Sequence, residues 1–183
     1  MTRIKLLSLE EMNAEQRAVY DQAAAGRRGW VPAPVVAWLR SPELASRAQK
    51  LGEFVRYKTS LPPRLSELAI LVVARQWTCQ YEWFAHKPDA LKGGLGAGII
   101  DAIAHRQPPQ FEQRDESLVY GFSVALTKTC MVPGDLYRET VESIGERGAV
   151  ELVGLLGYYT LVAMTLNTFE IGLPEGVEPG LPA

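Results

Sequence analysis

Residues 64–86 read Arg64-Leu-Ser-Glu67-Leu-Ala-Ile-Leu-Val-Val-Ala-Arg75-Gln-Trp-Thr78-Cys79-Gln-Tyr-Glu82-Trp-Phe-Ala-His86, and this stretch decides the fold class. Leu65, Leu68, Ala69, Val72 and Val73 recur with a 3.6-residue period, which predicts a helix turning one apolar stripe to a core. Further on, Glu82 and His86 stand at i and i+4, and Cys79 and Glu82 at i and i+3. Cys79 and His86 are close to two turns apart. On a helix all three side chains project from one face, within reach of one bound molecule. A thiol, a carboxylate and an imidazole supply a nucleophile, a base and a group that titrates near neutral pH. Spacing alone also fits a buried, inert cysteine beside a solvated Glu–His pair. Trp77, Tyr81, Trp83 and Phe84 tilt the balance toward a packed segment, where such groups are paired and perturbed.

Outward from this stretch, the chain reads as helices punctuated by Pro and Gly, with little strand signal. Asn13 to Ala25 is the first helix, with Asn13 as its cap, Gln16 at the third helical position and a turn at Gly26 to Gly29. A proline-bearing stretch covers Trp30 to Leu39. Ser41-Pro42-Glu43 opens a helix that runs to about Tyr57, with Ser as cap and an acid in the first turn. Leu61-Pro62-Pro63 breaks the chain. Pro88 and the glycines at 93, 94, 96 and 98 end the segment that holds Cys79. Ala97 to His105, Asp115 to Lys128, Asp135 to Gly145 and Ala149 to Phe169 complete the helices, with a loop at Gln107-Pro108-Pro109. The tail 172–183 is rich in Pro and Gly and is expected to be extended or loose. The whole of 1–183 is expected to be a single all-α domain.

Composition narrows the function classes. The 183 residues include 47% hydrophobic and 22% charged, ordinary for a globular chain. With 19 basic and 21 acidic residues and no basic block, nucleic acid is not an expected partner. No uninterrupted apolar run reaches the roughly 18 residues of a membrane span, and no secretory h-region opens the chain. The expected location is the cytoplasm. The two cysteines, Cys79 and Cys130, do not make a disulfide framework. With His86 and His105 they form no close-spaced zinc cluster, and the pattern calls for no metal and no cofactor. His105 falls at a helix end, where a cation suits the dipole. The glycines from Gly93 to Gly98 lack the preceding strand and the Lys-Ser/Thr of a phosphate loop, so they read as a turn. The segment Ala149 to Phe169 is apolar on most faces, which favours a homo-oligomer over a purely intrachain core helix.

The stretch 64–86 resembles the core motif of the carboxymuconolactone decarboxylase and alkyl hydroperoxidase D-like family, and the likeness is close to about residue 96. The family pattern is a Glu, about twelve residues later a Cys-x-x-Cys or related sequence, then a His four residues after the second position. Glu67, Cys79 and His86 match it, while Glu82 stands where the hydroperoxidase D-like members carry a second cysteine. The resemblance implies an alkyl hydroperoxidase D-like helical bundle. It also implies either thiol-dependent peroxide reduction or decarboxylation of a small lactone acid. Its implied site is Cys79, Glu82, His86 and Glu67. Local dithiol cycling is impossible with Glu82 in place of the second thiol. Either Cys130 resolves Cys79, which needs Cα atoms within about 7 Å, or the chemistry is different.

For Glu67 to serve the site, the helix must break. Unbroken, it would hold Glu67 about 18 Å from Cys79 along the axis. Thr78 is the expected break, capping a new helix with Cys79 at its first position, where the helix dipole would lower the thiol pKa. Otherwise Glu67 is an ordinary first-turn acid. A Cys79-centred, peroxidase-like role ranks slightly ahead of a lyase acting on a small organic acid, with His86 and Glu82 supplying the proton. A non-enzymatic helical oligomer that binds a small apolar acid is the reading in which Cys79 is inert.

Overall fold

The computed structural model of the chain describes residues 2–27 and 29–182. Met1 and Ala183, the ends of the N-terminal stretch and of the tail, lie outside the described residues, as does Arg28 of the turn at 26–29. Eight α-helices follow a short 3-10 turn at Leu9–Glu11, and the described residues contain no strand. They are α1 (Ala14–Ala24), α2 (Ala33–Trp38), α3 (Pro42–Tyr57), α4 (Pro63–Gln76), α5 (Gln80–Lys92), α6 (Ala97–Ala104), α7 (Arg114–Thr129) and α8 (Gly134–Thr168).

The local signals that start these helices are visible atom by atom. Asn13 Oδ1 accepts from the Gln16 backbone N–H at 2.9 Å, and Gln16 Oε1 accepts from the Asn13 N–H at 3.0 Å, a complete capping box. Ser41 holds the N-cap position of α3, but its side chain makes no capping hydrogen bond; Pro42 with its fixed φ supplies the start instead. The stretch Trp30 to Leu39 contains a helix, α2, that its prolines had hidden. Pro32 is the N-cap and Pro34 lies in the first turn, where a missing N–H costs nothing.

Pro88 does not end α5. It sits inside the helix, which runs on to Lys92 and closes at Gly93 and Gly94. Proline removes the bond to the carbonyl four residues back and crowds that carbonyl, and the buried Trp83 and Ala90 on either side of it hold the helix in place. Near the other end of the chain, α8 is 35 residues long and kinks at Gly145, whose φ of 75° and ψ of 163° only glycine adopts readily. By length and composition α8 could cross a membrane, with an 18-residue window of mean hydropathy 1.6, yet 61% of that window is buried inside the fold.

The core is built around α4. Every residue from Leu65 to Arg75 is buried, and α5, α6, α7 and α8 all pack on this helix. The α5 end at Gly93 returns to the α4 start, where an added Cβ would come within 3.2 Å of the Pro63 and Arg64 backbone. The two helices thus form an antiparallel hairpin. The tail is extended but not loose: Leu181 is buried, its N–H donates to Gln80 Oε1 at 3.0 Å, and its carbonyl accepts from Gln80 Nε2 at 2.8 Å.

Candidate active site

The turn between α4 and α5 makes the site possible. The Thr78 N–H donates to the Arg75 carbonyl at 3.1 Å and the Cys79 N–H to the Ala74 carbonyl at 2.8 Å. This is a Schellman closure with Thr78 as its left-handed residue, φ 47°. A β-branched residue there is strained. Its hydroxyl is held by two guanidinium groups, Arg75 Nη1 at 3.1 Å and Arg106 Nη2 at 3.3 Å. The helix therefore breaks at Thr78, but the register differs by one residue from expectation. Because Thr78 closes α4, the extended N-cap conformation falls to Cys79 (φ −84°, ψ 95°), and Gln80 is the first helical residue.

The hairpin brings Glu67 to His86. Glu67 Oε2 lies 2.7 Å from His86 Nδ1, with both side chains buried. The His86 ring meets the edge of Tyr159 at 4.9 Å between centroids and 86° between planes. Tyr159 in turn stands edge-on to Tyr158, and Tyr158 to Trp38. The Trp38 indole N–H donates to Thr165 Oγ1 at 2.8 Å. Aromatic packing and the Glu67 carboxylate thus fix the imidazole from two sides.

His86 and Glu82 face a cavity of about 290 Å3 between α5, α8, the end of α3 and the segment before α2. Its apolar walls include Trp30, Tyr81, Phe84, Tyr159, Val162 and Leu166, and Arg56 contributes a cation. Burial opposes the charge on Arg56, but nearby Tyr159, Tyr57, Glu67 and Asp89 outweigh it and raise the guanidinium pKa. Arg56 also forms an ion pair with Asp89. Glu82 is 2% exposed, and neither carboxyl oxygen has a protein hydrogen-bond partner. Burial pushes its pKa well above the usual carboxylate range.

Cys79 does not belong to the cavity wall, which corrects the expectation that Cys79, Glu82 and His86 line one pocket. It is 1% exposed and sits in the hydrophobic core. Burial, and secondarily the Glu82 charge, push the thiol up to about 12, although the Tyr81 and Glu82 N–H groups bond to it and act the other way. The helix N-terminus does reach Cys79, but desolvation wins over it. Cys130 is exposed at the end of α7 in a left-handed conformation (φ 61°), and both thiols are free. Arg56, Trp30, Tyr158 and Tyr159 were not foreseen as site residues. The Tyr158-Tyr159 pair, polar-tipped beside the aliphatic Leu155, Leu156, Leu161 and Val162, was the one sequence signal; Arg56 looked like any last-turn cation. Among the described residues no group of three or more His, Cys, Asp or Glu could hold a metal ion.

No curated protein matches the chain. Residues 42–117 match the model of the Carboxymuconolactone decarboxylase family. That span runs from the start of α3 into the first turn of α7 and holds Glu67, Cys79, Glu82, His86 and Arg56. Over this span, less than half of the chain, the sequence is similar to the carboxymuconolactone decarboxylase family.

Proposed function

We propose that the chain is an enzyme in which His86, oriented by Glu67, moves a proton to or from a small organic acid held in the cavity. One observation carries the reading. A buried imidazole is fixed by a carboxylate at 2.7 Å, and the same residue faces a largely apolar cavity of about 290 Å3. Hydrogen bonding at Nδ1 fixes the orientation of the ring, as a positioned general acid–base requires. The family takes in decarboxylase-like and peroxidase-like chemistry, and two features favour the first. Peroxide reduction needs a thiolate in contact with substrate, whereas Cys79 lies outside the cavity with its pKa raised. Decarboxylation breaks the bond to the leaving carbon dioxide, and the electron pair left on carbon takes a proton, which His86 is placed to deliver.

The test is carbon dioxide release from a panel of small lactone acids, followed alongside peroxide consumption. Cys79→Ala is expected to keep decarboxylation, and His86→Ala to lose about 10²- to 10⁴-fold, the usual range for a general acid–base. Peroxide consumption lost with Cys79→Ala, with no acid turned over, would reverse the reading. We propose further that the protein self-associates, as the exposed Val150, Val153 and Met164 of α8 favour.

A further inference from the structure

Four glutamates are buried among the described residues: Glu67, Glu82, Glu116 and Glu151. Three have protein partners. Glu67 meets His86, and Glu116 meets Arg64 at 2.8 Å. Glu151 accepts from the Ser60 N–H and hydroxyl at 2.6 Å and from Arg147 at 2.8 Å. Glu82 alone has none. A protein that satisfies three buried carboxylates and leaves one bare on a cavity wall has left that one for something in the cavity.

We propose that Glu82, in its neutral protonated form, is a ligand-binding residue whose O–H donates to a carboxylate oxygen of a small acid seated in the cavity. This rests on the reading that the cavity is the substrate site, and adds to it how the acid is held. A protonated carboxyl carries the donor that an ionised one lacks. A hydrogen bond from O–H to a carboxylate is of the strong, charge-assisted kind. The acid's charge is drawn in by Arg56, the cation on the cavity wall. Its ring or chain packs on Trp30, Phe84 and Tyr159. Two carboxylates cannot share this space with both ionised. Ligand binding is therefore linked to a proton held between Glu82 and the ligand.

The titratable and charged groups around Glu82 come from four elements. His86, Tyr81 and the Cys79 thiol lie on α5, Arg56 on α3, Tyr158 and Tyr159 on α8, and Glu67 on α4 behind His86. Arg56 is charged throughout, and its effect is common to every pH. The neighbours that titrate are shared by wild type and Glu82 variants alike, so a pH response that vanishes with Glu82 belongs to Glu82. The high pKa that burial gives this group is in accord with its donor role.

Benzoate serves as the probe, with benzyl alcohol as the uncharged control, and binding to the full chain is measured by calorimetry from about pH 5 to about pH 9, a range that spans documented buried glutamates. Benzoate is expected to bind the wild type more weakly as pH rises, by up to tenfold per unit once Glu82 ionises. Benzyl alcohol should show no such slope. Glu82→Gln, which keeps an N–H donor but cannot titrate, should bind benzoate within about threefold of the low-pH wild type and lose the slope. Glu82→Ala, checked for an intact melting transition, should bind about tenfold or more weakly, as expected for a lost hydrogen bond to a charged group. A pH slope that survives in Glu82→Gln, equal binding by Glu82→Ala, or no benzoate binding to the wild type would each overturn the proposal. Those results would leave His86-dependent turnover standing, whereas unchanged turnover in His86→Ala with the Glu82 linkage intact would sink only the catalytic reading.

Discussion

At the scale of single residues, burial raises the pKa of the two acid groups at the start of α5, and both shifts can be tested directly. Cys79 should resist alkylation at neutral pH, because its thiol is pushed up to about 12. Iodoacetamide should label exposed Cys130 first, with Cys79 following only on unfolding. His86→Ala should leave that order unchanged. Mass spectrometry of the labelled peptides decides it, and rapid labelling of Cys79 that slows in His86→Ala would restore a reactive thiolate. Glu82 carries a stability prediction. Its folded pKa lies above the unfolded value of about 4.3. The folded state therefore holds the proton more tightly, and the associated stability is fully present below that unfolded value and lost as pH rises through the folded pKa. Glu82→Met removes the buried group while nearly conserving volume. It should gain about 1–3 kcal/mol at neutral pH, with a gap over wild type in urea unfolding that narrows as pH falls. A gap that is flat with pH would show that Glu82 does not titrate across folding.

At the scale of elements, two glycines at helical positions predict opposite responses to the same substitution. Gly52 of α3 makes room for Tyr158: an added Cβ would lie 2.2 Å from the Tyr158 hydroxyl oxygen. Tyr158 is buried and locked between Trp38 and Tyr159, so it cannot swing aside without moving the wall on which His86 rests. Gly52→Ala should therefore cost about 1–3 kcal/mol despite the better helix former, and lower His86-dependent turnover. Gly121 of α7 would place its Cβ at 3.5 Å from Leu136, an ordinary contact. There Gly→Ala should stabilise by roughly 0.5–1 kcal/mol. Thermal melts of the two variants check the signs, and a stable Gly52→Ala would show Tyr158 to be mobile.

The helix hairpin itself was largely legible in the sequence. The 3.6-residue period placed α4, and the need for a break placed the turn at Thr78. What the sequence could not supply was the side of α5 on which each residue ends up. Cys79, Glu82 and His86 share a helical face only if all three are inside the helix, and Thr78 took the closing position of α4 and left Cys79 at the cap. Arg56 and Tyr159 enter the cavity from α3 and α8, and nothing in their local sequence records a meeting made by tertiary packing. Proline alone does not mark a helix boundary: Pro34 sits in a first turn, where its missing N–H costs nothing, and Pro88 is carried inside α5 between the buried Trp83 and Ala90.

At the scale of the whole molecule, the open question set by α8 is what covers the rest of it. Its segment after the Gly145 kink is apolar nearly all round in sequence, yet the fold buries only part of that surface. Val150, Val153 and Met164 are exposed, at 73%, 48% and 45%, and Gly157 and half-buried Leu161 lie between them along the helix. The spacings of three, four, four and three keep these five positions on one stripe, the seam along which a second helix packs. Beside it, Leu51 and Phe54 of α3 are also exposed and line, with Val150, a groove of about 500 Å3 whose floor is apolar. An isologous contact through a two-fold axis would lay one copy's stripe on the other's and close both grooves at once. Stable interfaces bury on the order of 1,000 Å2 or more, with an apolar centre and a charged rim. Glu146 and Arg147, on the edge of the groove, supply such a rim. Light scattering should therefore give a particle at least twice the 20.2 kDa chain mass. Val150→Lys, on the most exposed member of the stripe, should shift it toward the monomer while leaving the melting transition cooperative. None of the five stripe residues lines the cavity, so the monomeric variant should still bind benzoate. A wild type that scatters as 20.2 kDa at high concentration would leave the stripe as bare surface and remove the case for self-association.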